Sequence, residues 1–442
     1  MHRTIKDALL AKVEDPAAAG LTLTPLLAAL RTQGDAAVCE AIERATLLSA
    51  GARTAVAPPR PGGAPGTLGA AVASAPAAEI GASAGFAPTA SADAVRLAAT
   101  LREQWETWRA VLGYGRTALD ALALHAFTAA QCASGESLGW IAIHALRVGF
   151  IVPEATIPVY ERLADGWLRG KASAPFLAAD WAAQWSRPLA EVRGALGVPP
   201  SAVDAATEAA ALPLVARPGR LPDGLAALLW RVVGQQVDPA AITATIAAFG
   251  ATYSSGLRAA CARAIQLHPG QAAVARQPWP PRVDIHALAV YPPDTLGHAY
   301  YHLIVDNGFD PEVLDPDTVT GFHPDLDGTN RRILQQHELW HLVAGYSTSP
   351  LHESAISAFQ LAQFGHNYSA AFLATMITTL LFSTPVFLDP FLQVTAEAWR
   401  HGRATPPMMA IDWPAQWGKS LDAIRAEFGV APFVSVVPDV MA

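Results

Sequence analysis

The chain aligns with itself. The segment from Trp167, WLRGKASAPFLAADWAAQWSRPLAEVRGALGVPP, runs without a gap along WRHGRATPPMMAIDWPAQWGKSLDAIRAEFGVAP from Trp399, an offset of 232 (399 − 167). Trp167, Gly170, Trp181, Trp185 and Arg193 meet Trp399, Gly402, Trp413, Trp417 and Arg425, and chance does not match three tryptophans in this way. The offset holds upstream, where QWETWRAVLGY from Gln104 faces QHELWHLVAGY from Gln336 and Gln131 faces Gln363. PGTLGAA from Pro65 resembles PDTLGHA from Pro293 after a shift to 228. A repeat of this length reads as two copies of one fold. The expected organisation is a first copy over residues 1–200, a linker over 201–222 and a second copy over 223–442. Isologous pairing is the commonest association of identical domains, so packing about a pseudo-twofold axis is the expected arrangement.

What each copy is made of follows from composition and period. Hydrophobic residues make up 52% of the chain and charged residues only 15%, with alanine spread through the apolar runs, which suits closely packed helices. Apolar periodicity close to 3.6 is clearest over 331–346, 353–365 and 422–428, and no alternation of strand length recurs. The fold is expected to be all-α. The Pro/Gly-rich run from Val56 reads as a loosely ordered approach to the first set of helices.

Charge and cysteine usage narrow the partners. A net charge of −8 without a Lys/Arg run leaves no electrostatic footprint for nucleic acid. Cys39, Cys132 and Cys261 are isolated thiols, which suggests neither a disulfide framework nor a thiolate zinc site. A reducing compartment, the cytoplasm, is expected, since the N-terminal MHRTIKDALLAKVEDP has no signal-peptide pattern. The most apolar stretch, 370–388, is interrupted by Ser383, Thr384 and Pro385 and is expected to be a buried helix rather than a membrane span.

His337 and His341 form a HExxH motif in a helical stretch, which places both rings on one face about a turn apart, as a shared metal ion needs. Glu353 follows past the helix break expected at Gly345 to Pro350, on the next helix, where its carboxylate can complete the site. Glu338 is a candidate either for a further ligand or for a general base, and His352 is a reserve for either role. The other copy sharpens the reading. His337 faces Trp105, His341 faces Arg109 and Glu353 faces Ala121, while Trp108, Gly113 and Tyr114 around them are kept. Groups that depend on one another are lost together. Two histidines and a carboxylate leave coordination positions open, which suits a zinc-activated water or an O2-activating ferrous centre.

At these residues the chain resembles the coenzyme Q (ubiquinone) biosynthesis protein 4 family, whose HDxxH motif is followed after eleven residues by Glu. HELWHLVAGYSTSPLHE from His337 has that spacing, with Glu338 in place of the Asp. YPPDTLGHAY from Tyr291 is similar to the family's entry segment, with His298 where an Arg is usual, and the likeness covers 285–432. The resemblance implies a helical fold, a divalent metal at the HDxxH site, and peripheral association with the inner membrane. It also implies work on polyprenylated aromatic lipids, other quinone-biosynthesis proteins as partners, and oxidative decarboxylation at C1 of the ring with O2 as co-substrate. His298 is then a candidate to line the substrate site, and the apolar helices over 359–388 are candidates to hold the tail. Two other readings compete. One is a non-catalytic lipid-binding scaffold, marked by four closed ligands; the other is a zinc peptidase, whose usual third-ligand spacing is missing.

Overall fold

The structure is a computed structural model that describes residues 3–16, 63–73, 92–203, 205–222, 224–233, 248–268, 274–278, 282–309 and 323–439. Most of the Pro/Gly-rich run from Val56 and Cys39 lie outside these residues. Among the described residues the regular structure is helical, with two isolated bridges, Thr67 to Pro188 and Thr295 to Ser420. The stretch expected to be a linker, 201–222, carries a helix over Ala205–Ala216.

Helices recur at the sequence offset. Ala92–Leu112 and Pro324–Ala344 correspond end to end, as do Ala118–Cys132 and Pro350–Phe364, and Thr156–Ala172 and Leu388–Ala404. Side-chain bonds recur with them. Gln131 Nε2 donates to the Gly170 carbonyl at 2.6 Å and its Oε1 accepts from the Phe176 amide at 2.9 Å. Gln363 Nε2 donates to the Gly402 carbonyl at 2.8 Å and its Oε1 accepts from the Met408 amide at 3.1 Å. Arg193 Nε donates to the Val111 carbonyl at 2.6 Å, and Arg425 Nε donates to that of Val343 at 2.9 Å.

The chain divides into two units, each with its own core. The first takes Met1–His144, Pro158–Gly219 and Ile377–Asp389, and the second takes Ala145–Ile157, Arg220–Met376 and Pro390–Ala442. In the first, Trp108 packs edge-on against Phe127 and Phe176, all three fully buried. In the second, Trp340 packs against Phe359 and Phe364, and Trp399, Trp413 and Trp417 are buried. Gly402 is needed at the crossing of two helices, because a Cβ there would sit 2.7 Å from both the Ala362 Cβ and the Phe359 carbonyl oxygen.

One buried histidine couples the second unit's stability to pH. His268 is 3% exposed, and burial together with the charge of Arg403 pushes its pKa down to about 4, against the pull of a backbone hydrogen bond at Gln363. Above pH 6.5, the ordinary value, the ring is neutral in both folded and unfolded states. Between that value and about 4 only the unfolded chain takes the proton, so acid weakens the fold by about 1.4 kcal/mol per pH unit. Urea midpoints of the wild type should fall more steeply across this window than those of His268→Gln; identical slopes would remove His268 from the account.

Candidate metal site

Local sequence sets the frame. Pro324–Ala344 ends at Gly345, whose φ of +78° is left-handed and whose amide donates to the His341 carbonyl. Four residues later Ser349 caps Pro350–Phe364, its hydroxyl accepting from the His352 amide, with Pro350 in the first turn. This short connection brings Glu353, in the first turn of the second helix, against the last turns of the first.

Three ligand atoms converge. His337 Nε2 lies 3.2 Å from Glu353 Oε2, His341 Nε2 lies 3.3 Å from Glu353 Oε1, and the two Nε2 atoms are 3.0 Å apart. An ion held at 2.0–2.1 Å with tetrahedral angles needs donors about 3.3 Å apart, so the residues present fit a metal. His341 Nδ1 donates to the Ser347 carbonyl at 2.9 Å, which leaves Nε2 as the lone-pair nitrogen facing the cluster. The His341 side chain is 1% exposed and that of Glu353 is 38% exposed, so the cluster opens on the Glu353 side. Burial opposes charge on His337, but the Glu353 hydrogen bond and the charges of Glu338 and Glu353 outweigh it, raising the pKa to about 9. Burial likewise opposes the Glu353 carboxylate, and the hydrogen bond and charge of His337, with His341 beside it, hold it well below the usual carboxylate range instead.

Two residues expected at the site stand apart from the cluster. Glu338 is one position on from His337, about 100° around the helix, so its carboxylate leaves the face that carries His337 and His341. It acts on His337 through its charge alone. His298, on Leu296–Asp306, has its ring against His302 with centroids 4.3 Å apart. The reserve ligand His352 also turns away, its Nδ1 accepting from the Ser347 amide at 2.9 Å and lying 3.6 Å from Asp439 Oδ2.

Sequence reasoning missed Gln360, whose Nε2 lies 2.6 Å from His337 Nδ1. Its Oε1 accepts from Ser369 Oγ at 3.2 Å, and Ser369 Oγ is 2.8 Å from His366 Nδ1. A signal existed: Gln360 lies seven positions after Glu353, on the same helical face, and at the offset of 232 the residue is Thr128. Groups that orient a metal-binding histidine typically matter about 10- to 100-fold in affinity. Gln360→Leu should weaken metal binding by that factor in a chelator competition with the fold intact, and an unchanged affinity would make the contact incidental.

In the first unit the equivalent place is filled. Trp105 packs on His125 with ring centroids 4.8 Å apart, and Arg109 Nε donates to Glu106 at 2.8 Å. Arg109 Nη1 also donates to the Tyr114 carbonyl at 2.9 Å, the counterpart of the Tyr346 carbonyl 3.3 Å from His341 Nδ1.

Comparison with known proteins places a likeness on this half. Residues 236–433, a little under half of the chain, match the family model for coenzyme Q (ubiquinone) biosynthesis protein Coq4. The mitochondrial ubiquinone biosynthesis protein COQ4 of Laccaria bicolor is 24% identical over 34% of this chain and 49% of its own. The mitochondrial COQ4 homologues of Mus musculus and Drosophila melanogaster are 25% and 27% identical over 34% of this chain, covering 55% and 54% of theirs. The chain thus spans about half the length of these curated relatives. A crystal structure from Nostoc punctiforme, provisionally described as a ubiquinone biosynthesis protein, is 20% identical and covers 47% of this chain and 96% of that one, with a TM-score of 0.39.

Proposed function

We propose that residues 223–442 form a metal-dependent enzyme of ubiquinone biosynthesis, which replaces the C1 carboxyl of a polyprenylated aromatic acid by a hydroxyl from O2, releasing CO2, with the second oxygen atom leaving as water at the expense of a two-electron donor. The observation that carries the metal is the convergence of His337, His341 and Glu353, with donor separations of 3.0 to 3.3 Å. The substrate class comes from the match of 236–433 to the Coq4 family model. Bound to these three ligands, a zinc or ferrous ion would supply Lewis-acid polarisation or, for iron, O2 activation. The chain's own contribution is orientation. Ser347 and Gln360 fix the two rings, burial excludes water around His341, and the half-buried Glu338 favours positive charge on His337 through its own charge.

We also infer that the first half is a degenerate copy of the second, retained from the fusion of a two-fold homodimer. The recurring glutamine and arginine bonds support this, as does the filling of the ligand positions by Trp105 and Arg109. Among the described residues no helix is long and apolar enough to cross a membrane. Contact with a membrane surface, where a tailed substrate resides, is part of the proposal; Val386 and Phe387, both exposed, are suited to it.

The test is metal analysis of the purified protein together with mass spectrometry of co-purifying lipid. One equivalent of zinc or iron and a polyprenylated aromatic are expected. Each buried CH2 contributes about 0.8 kcal/mol, so a prenylated benzoate should bind at least ~100-fold more tightly than the same ring without its tail. Equal affinity for the two would overturn the substrate class.

A further inference from the structure

The helix Pro324–Ala344 presents two sets of polar side chains on different faces. At about 100° per residue, His337 and His341 share one direction, whereas Arg332, Gln336 and Leu339 form a stripe on the roughly opposite side. A cavity of about 360 Å³ runs along this second stripe, walled by Tyr300, Met409, Ile411 and Trp413. Its volume falls within the range of small-molecule sites.

Two residues that line it, Arg332 and Gln336, carry buried polar atoms without partners among the described residues. Arg332 is 3% exposed, and its Nε donates to the Val274 carbonyl at 2.9 Å while Nη2 donates to those of Gln277 and Pro278 at 2.9 and 2.8 Å. Its Nη1 is buried with no partner among the described residues, and no carboxylate there pairs with it. Burial without a counter-charge holds the guanidinium below its usual range. Gln336 is 4% exposed and its Oε1 is also unpartnered. The corresponding Gln104 of the first unit accepts from Trp108 Nε1 at 3.0 Å, but Gln336 and Trp340 leave both of those atoms unpaired. The Trp413 indole N–H is unpaired as well, but so is that of its counterpart Trp181, so this group does not set the two units apart as Arg332 and Gln336 do. Arg332 faces Thr100 in the other copy, which has no cation there. An unmet buried donor costs about 1 to 3 kcal/mol, more when charged, and a ligand that supplies acceptors recovers it.

We propose that this cavity is a second binding site, separate from the metal cluster, for a small organic anion whose carboxylate or phosphate pairs with Arg332. The apolar wall of Tyr300, Leu339, Met409 and Ile411 takes the uncharged body of the ligand. Asp412 also borders the cavity, but it is exposed and stands in solvent. The site does not depend on the function proposed for the metal.

Calorimetric titration of the full chain with benzoate, phenyl phosphate and the neutral benzamide tests it. One of the two anions should bind at least tenfold more tightly than benzamide, and which one does so identifies the charged group. Arg332→Met should weaken that anion at least tenfold. Because Arg332 also holds three backbone carbonyls, Gln336→Met and the cavity-filling Ile411→Trp serve as second variants, each expected to weaken it several-fold with unfolding still cooperative. His337→Ala should leave binding unchanged. Benzamide binding as tightly as the anions, neither anion binding at millimolar concentration, or loss in His337→Ala with retention in Gln336→Met and Ile411→Trp would each overturn the proposal.

Discussion

Alanine at His337, at His341 or at Glu353 is expected to abolish stoichiometric metal, lowering affinity by at least ~1000-fold, while the helical fold persists. Each ligand supplies one of three donors whose mutual distances of 3.0 to 3.3 Å match a single coordination sphere. Removing any one leaves two donors, which exchange rapidly with water and chelators. The chain itself supports the persistence of the fold. The first unit keeps a helix over Ala92–Leu112 and a buried core with Trp105, Arg109 and Ala121 where the ligands stand in the second. Arg109 even satisfies the Tyr114 carbonyl, as His341 approaches that of Tyr346. Elemental analysis after dialysis, paired with circular dichroism melting, reads both parts. Metal retained at one equivalent in all three variants would mean that the ion sits elsewhere.

What the sequence disclosed about this site is what one or two helical turns determine. The i, i+4 spacing puts His337 and His341 on one face, and the Gly345 and Ser349 signals mark where one helix ends and the next begins. The position of Glu353 follows from that short connection. Gln360 was obscure because a glutamine on a helix carries no chemical signature until its partner is known. Asp439 lies 92 positions after Ser347, to which it is hydrogen-bonded, and no local pattern encodes a contact of that separation. Glu338 was legible as a residue type, and its place one position after His337 sets it about 100° around the helix from that ring. The helix-rich fold was legible, because the segments with a clear 3.6 period, 331–346, 353–365 and 422–428, fall on the helices Pro324–Ala344, Pro350–Phe364 and Leu421–Phe428. The division of the chain into units was not. Ala145–Ile157 counts with the second unit and Ile377–Asp389 with the first, and periodicity assigns a segment to a helix, not to a core.

That division makes the second large effect predictable: residues 223–442 expressed alone should fail to form a stable, metal-binding fold. The second unit includes Ala145–Ile157, which such a fragment lacks. Within the unit, Phe150 packs against Phe249 and Tyr253 with ring centroids 5.5 and 6.2 Å away, all three less than a tenth exposed. Tyr253 Oη also donates to the Gly149 carbonyl at 3.4 Å, and Arg263 reaches Glu154 through two bonds of 3.0 and 2.7 Å. The Arg263 side chain is 54% exposed, so solvent screens this pair and its contribution is small. The aromatic cluster is what matters, because exposing a buried aromatic side chain costs about 1.5 to 3 kcal/mol. Uncovering Phe249 and Tyr253 and losing the packing of Phe150 therefore removes roughly 5 kcal/mol from a domain whose total is about 5 to 15 kcal/mol. The fragment also leaves Ile377–Asp389 without the first-unit core in which it is counted, including the Lys171 partner of Asp389. Aggregation or a broad, uncooperative melt is the expected result, read by size-exclusion chromatography and circular dichroism. A soluble monomer that melts cooperatively and holds one equivalent of metal would show that the second unit completes its core without the first half of the chain.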